Sequence, residues 1–144
     1  MRVVFRTVWF ASAVAALSFS LATLAAAAQQ QHKHPDAAKM KNPVAASPAS
    51  IAAGKKLYDS QCASCHGATG KGDGKAGALL KPTPSDLTDT DWKHGQTDGE
   101  VFIVIRDGSP QTGMRGYGSR IPANDIWNLV NYVRNLGPKT TKSH

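Results

Sequence analysis

The sequence predicts a small all-α domain of three main helices joined by long loops. Three observations carry that expectation. Helical periodicity with start and stop signals recurs in three segments, the stretch between the first two is rich in Gly, Pro, Asp and Thr, and no alternating pattern marks a strand pair. The chain has 144 residues, room for one ordinary domain or a small domain with accessories. An apolar fraction of 41% with 13 glycines excludes wholesale disorder and a collagen-like fibre. A mean hydropathy of −0.32 leaves room for one membrane-spanning segment at most.

The first helix begins at Ser47-Pro48, an N-cap followed by proline at the first helical position. Ile51, Gly54, Tyr58 and Cys62 then recur on one helical face. The second begins at Thr97, where Thr97-Asp98-Gly99-Glu100 is a capping box. The following run, Val101 to Ile105, suits a strand by propensity. The cap before it and the Asp107-Gly108 stop after it decide for a buried helix. The third helix starts near Pro122 and ends at Leu136-Gly137-Pro138. Its apolar stripe is Ile126, Leu129, Val130, Val133 and Leu136, flanked by Trp127 and Tyr132.

Outside this core the chain divides by composition. Residues 1–28 read as a signal peptide, with Arg2 and Arg6 ahead of an uncharged run that ends in four alanines. The same run is long enough to serve as an uncleaved membrane anchor. Either reading puts the domain outside the cytoplasm, in the periplasm or exported. Residues 29–50, built of Gln, His, Lys, Pro and Ala, read as a flexible linker, and residues 138–144 as a disordered basic tail. No internal repeat is visible.

The net charge of +7 suggests nucleic-acid binding until it is divided up. Residues 51–137 hold ten basic and nine acidic side chains, and the excess lies in the leader, linker and tail. The folded part therefore lacks the electrostatic footprint of a DNA or RNA binder. Beyond the leader the chain has six aromatics: Tyr58, Trp92, Phe102, Tyr117, Trp127 and Tyr132. That is a thin core, with room for something other than side chains.

The two cysteines stand in Cys62-Ala63-Ser64-Cys65-His66. Cys-x-x-Cys-His is the attachment signature for c-type haem. Two thiols three residues apart on a turn can each form a thioether with one haem vinyl group, and the next residue then presents an imidazole to the iron. Three other chemistries use paired cysteines. A disulfide with a two-residue spacer closes a tiny loop and stabilises little. A thioredoxin-like pair needs a preceding strand, whereas a helix precedes this one. A zinc site needs two more ligands, and no second pair has suitable spacing. Haem fits best.

An electron carrier adds a second axial ligand. Met114 is the methionine downstream of the leader and linker, and its Gly113-Met114-Arg115-Gly116-Tyr117-Gly118 loop lets backbone approach a macrocycle closely. His94 is the competing ligand, and the sequence favours Met114. Thioether ligation stabilises ferrous iron and raises the potential. Gly72-Asp73-Gly74-Lys75-Ala76-Gly77 fits a dinucleotide-binding pattern, but that pattern has meaning only between a strand and a helix. Here it reads as a flexible surface loop.

With these residues the chain resembles the class I monohaem cytochromes c of the small exported bacterial type, over about residues 50–137. The resemblance implies a cytochrome c-like fold around one covalent haem c, its first and last helices crossing at Gly54 with Tyr132 packed into the crossing. It implies thioethers at Cys62 and Cys65, with His66 and Met114 as proximal and distal ligands. It also implies a proline carbonyl bonded to the other ring nitrogen of His66. Lys81-Pro82-Thr83-Pro84 offers two candidates, of which Pro82 is preferred, although the chain lacks the family's common Gly-Pro-x-Leu. Trp92 and Arg106 are candidate partners for the haem propionates.

The implied function is one-electron transfer between a redox donor and an acceptor protein, by a monomer that makes no bond in a substrate. Two alternatives are a tethered haem subunit of a membrane or periplasmic oxidoreductase and an open-site haem enzyme such as a peroxidase. The second requires that Met114 not ligate.

Overall fold

The computed structural model describes residues 36–90 and 97–137. The leader, the linker up to residue 35, Trp92, His94 and the basic tail lie outside the described residues. The three expected helices form, with a single-turn helix between the first two: α1 (Pro48–Gln61), α2 (Ala63–His66), α3 (Asp98–Asp107) and α4 (Ala123–Leu136).

Helix α1 starts as its sequence requires, the Ser47 hydroxyl accepting from the Ser50 amide at 3.1 Å. It crosses α4 through Gly54. A Cβ at Gly54 would run into the Asn128 carbonyl and lie 2.8 Å from the Tyr132 Cβ, so hydrogen alone fits there. Tyr58 and Tyr132 fill the crossing, with ring centroids 5.1 Å apart and a tilt of 55°.

Helix α3 is held open at its start by the full capping box. The Glu100 amide donates to the Thr97 hydroxyl at 3.3 Å, and the Thr97 amide donates to the Glu100 carboxylate at 2.9 Å. Val101, Phe102, Ile103 and Ile105 are buried, which is what so apolar a run requires. Phe102 stacks on Trp127 of α4 at 4.1 Å. Arg134 of α4 pairs with Asp98 at 2.8 Å and closes the polar end of that contact.

Two expectations change. No strand pair was foreseen, yet β1 (Gly108–Ser109) and β2 (Met114–Arg115) form an antiparallel ladder, with Ser109 opposite Met114. Strands of two residues have no alternation to detect. The flexible linker expected over 29–50 is docked from Asp36 onward. Ala37 is only 3% exposed, and its carbonyl packs directly on Gly99. Met40 and Val44 lean on the core. The Asn42 side-chain amide donates to Asn131 Oδ1 at 2.8 Å, and the Asn131 amide donates to the Val44 carbonyl at 3.0 Å and the Ser50 hydroxyl at 2.7 Å. Small residues and hydrogen-bonded asparagines thus attach a segment whose low apolar content suggested a tether. Among the described residues, packing against the core therefore extends back to Ala37 rather than starting at residue 51.

Candidate functional site

The Cys62–His66 segment is a single tight turn. Cys62 leaves the α1 geometry, the Cys65 amide donates to the Cys62 carbonyl at 3.1 Å, and the His66 amide donates to the same carbonyl at 2.9 Å. Cys62, Cys65 and His66 are therefore carried within one turn of backbone. The Tyr58 hydroxyl, on a fully buried side chain, donates to the Gly67 carbonyl at 2.7 Å and ties the end of the turn to α1.

The glycine-rich segment after it was expected to be a flexible surface loop. It folds back onto the turn. The Gly72 amide donates to the His66 carbonyl at 2.8 Å, the Gly74 amide to Cys65 at 3.2 Å, and the Ala76 amide to Ser64 at 3.0 Å. Gly74 and Gly77 are buried, and a Cβ on either would collide with the Cys65 carbonyl. These glycines satisfy the carbonyls of the attachment turn by close backbone approach, a use unrelated to nucleotide binding.

Both cysteines are free thiols, half-buried. Burial, with Cys65 adjacent, pushes the Cys62 thiol up to about 11, so it stays neutral at ordinary pH. Burial also holds the His66 imidazole below its ordinary pKa, against the opposing pull of the Ser85 carbonyl. The ring is thus neutral in the physiological range. Its Nδ1 lies 3.4 Å from the Ser85 carbonyl, which can only accept, so Nδ1 carries the proton and Nε2 the lone pair.

That contact corrects the expectation for Pro82. The carbonyl beside His66 belongs to Ser85, three residues further on, and Pro82 is exposed. No side chain marks a backbone acceptor in a sequence, so Ser85 gave no signal. Tyr117 was also missed as a site residue: its hydroxyl donates to the Gln61 carbonyl at 2.9 Å, one residue before Cys62.

Met114 is half-buried and packs on the same core as Cys62 and Ala63. Its amide donates to the Thr112 hydroxyl at 3.4 Å, and its neighbour Gly113 approaches Leu80 of the segment folded over the attachment turn. The methionine loop and the cysteine turn are thus connected at both Leu80 and Tyr117. Arg106, the other candidate propionate partner, is paired within its own helix. Its guanidinium makes two 2.7 Å hydrogen bonds to Asp107 and lies 5.7 Å from the Phe102 ring centroid. His94 and Trp92 lie outside the described residues.

The donor set fits haem. Two reduced thiols and an imidazole with Nε2 available occupy one turn, and a thioether side chain stands in a loop connected to it. Leu79, 86% exposed, is the large apolar side chain that the described protein leaves uncovered, and it belongs to the 3₁₀ turn packed on α2. A planar apolar group bound at the turn has surface to cover there.

All-α architecture, the attachment turn and the methionine loop together define a c-type cytochrome domain. Residues 49–133 match the family described as cytochrome c oxidase, cbb3-type, subunit III, and the chain belongs to that family. It is 32% identical over 96 residues to the cbb3-type cytochrome c oxidase subunit CcoP of Azospirillum sp. (strain B510), covering 67% of this chain and 32% of that one. It is 36% identical over 84 residues to subunit FixP of Azorhizobium caulinodans, covering 58% of this chain and 26% of that one. The chain therefore spans about a quarter to a third of the length of the curated relatives it matches. Among solved structures, it resembles a chain of the Kuenenia stuttgartiensis reducing HAO-like protein complex Kustc0457/Kustc0458, with a TM-score of 0.61 and 27% identity over 69% of this chain and 50% of that one. It also resembles the c-type cytochrome KustC0563, with a TM-score of 0.51 and 25% identity over 59% of this chain and 98% of that one.

Proposed function

We propose that this chain carries single electrons between redox proteins through one covalently held haem c. Cys62 and Cys65 would hold the haem through two thioethers, one to each vinyl group. The bound iron supplies the chemistry, alternating between ferric and ferrous states. His66 offers Nε2 while Ser85 fixes the ring and raises its basicity, an effect that a hydrogen-bonded ligand typically enjoys. Met114 offers a thioether that favours the ferrous state. The observation that carries this reading is the Nδ1 contact of His66 to Ser85, which leaves the nitrogen suited to iron unprotonated.

A second reading is favoured by the relatives, which are named as oxidase subunits. In it the domain is the haem-bearing part of a membrane or exported oxidoreductase, with residues 1–28 as leader or anchor and the redox partners within the assembly. Among the described residues no helix is long and apolar enough to cross a membrane. In both readings the domain works on the exported side and is itself no enzyme. Weak, small contacts suit it, because a carrier must leave quickly.

The test is the intact mass of the denatured protein after expression with a haem c attachment system. The expected result is the mass of the chain plus one haem, lost in the Cys62→Ala, Cys65→Ala double variant. A parent protein without added mass would overturn the reading.

A further inference from the structure

The end of α1 carries a hydrogen-bond problem that its function creates. In a continued helix the Gln61 carbonyl would accept from the Cys65 amide. That amide instead donates to the Cys62 carbonyl at 3.1 Å, as the tight attachment turn requires. The partner that the Gln61 carbonyl does receive comes from far along the chain: the Tyr117 hydroxyl, at 2.9 Å.

Tyr117 is well placed to transmit position. Its own amide donates to the Ile105 carbonyl at 3.0 Å, and its carbonyl accepts from the Arg120 and Ile121 amides at 2.9 Å each, so its backbone is fixed to α3 and to the following turn. Arg120 lies 4.9 Å from the ring centroid. Met114 is three residues upstream in the same loop. One phenol therefore joins the residue before Cys62 to the loop that carries Met114.

We propose that Tyr117 is a positioning residue that clasps the Met114 loop to the haem-attachment turn and so holds the methionine against displacement from the iron. This rests on the reading of Met114 as distal ligand. Opening the loop must break the Tyr117–Gln61 bond, so an external ligand that competes with Met114 works against that bond as well.

The test is imidazole titration of the ferric holoprotein, followed by loss of the weak red charge-transfer band of thioether ligation. Tyr117→Phe keeps the ring and removes only the hydroxyl. It should raise imidazole affinity about three- to tenfold, the range of one net hydrogen bond. It should also lower the reduction potential, because looser thioether ligation favours the ferrous state less. Arg120→Ala, which frees the ring, should give a smaller rise in the same direction and serves where Tyr117→Phe yields little holoprotein. Asn42→Ala removes a hydrogen bond remote from the loop; it should lower the melting temperature and leave imidazole affinity unchanged. Parental affinity in both loop variants would overturn the proposal, as would an equal rise in Asn42→Ala. A parent spectrum without the red band, or one that keeps it in Met114→Ala, would overturn the ligand assignment beneath it before any tyrosine variant is made.

Discussion

Replacing the hydrogen of Gly54 by any side chain forces α1 and α4 apart, because the space is filled by backbone that cannot rotate away. Gly54→Val should cost more than about 3 kcal/mol, in the range of severe overpacking, and most of the protein should fail to accumulate with haem. Denaturant unfolding of any holoprotein recovered checks this, and a parental midpoint would remove Gly54 from the crossing. The proposed axial ligands answer to single substitutions as well. Met114→Ala should abolish the red band and let carbon monoxide bind the ferrous protein, while His94→Ala should leave the spectrum parental. Loss of the band in His94→Ala alone would reverse the assignment. Gly54 was legible in the sequence as a glycine on a helical face, and the proposed haem ligands were singled out because their chemistry resides in the side chain: two thiols and an imidazole at fixed spacing, and a thioether among glycines. Ser85 and Gln61 act through carbonyls that every residue has, and only folding decides which carbonyl meets His66 or Tyr117.

At the scale of elements, the helices were legible because their caps are local. Ser47-Pro48 and Thr97-to-Glu100 set their starts within four residues, and the capping box decided the run Val101–Ile105 against its strand propensity. The segment from Asp36 to Ser47 was not legible. Its attachment depends on Asn131, 89 positions from its partner Asn42, and on Gly99 admitting the Ala37 carbonyl. Deletion of residues 29–50 should therefore destabilise the haem domain relative to a chain beginning at residue 36. The Asn131 side chain would lose its acceptor at Val44 and its partner at Ser50, each loss worth about 1–3 kcal/mol for a buried group. Thermal melts of the two holoproteins compare them directly. Equal melting temperatures would show that the segment only rests on the domain.

For the molecule as a whole, charge and core point the same way. The 51–137 region is nearly neutral, so its partners are not selected by a strong overall field, and the basic excess lies in segments at either end. Removing residues 138–144 should change electron-transfer rates little across a salt series. A large loss confined to low salt would make the tail a docking element. The aromatic core is small: Tyr58, Phe102, Trp127 and Tyr132 are its buried rings among the described residues. In the proposed reading haem would supply the remaining apolar mass, and with His66 and Met114 at its two axial positions it would transfer electrons and bind no small ligand. The most direct test is the visible spectrum of the dithionite-reduced holoprotein before and after carbon monoxide. The expected result is a low-spin c-type spectrum that carbon monoxide leaves unchanged. A shifted Soret band on adding carbon monoxide would show an open iron and contradict Met114 ligation, leaving a ligand-binding or peroxidase-like haem in place of a carrier.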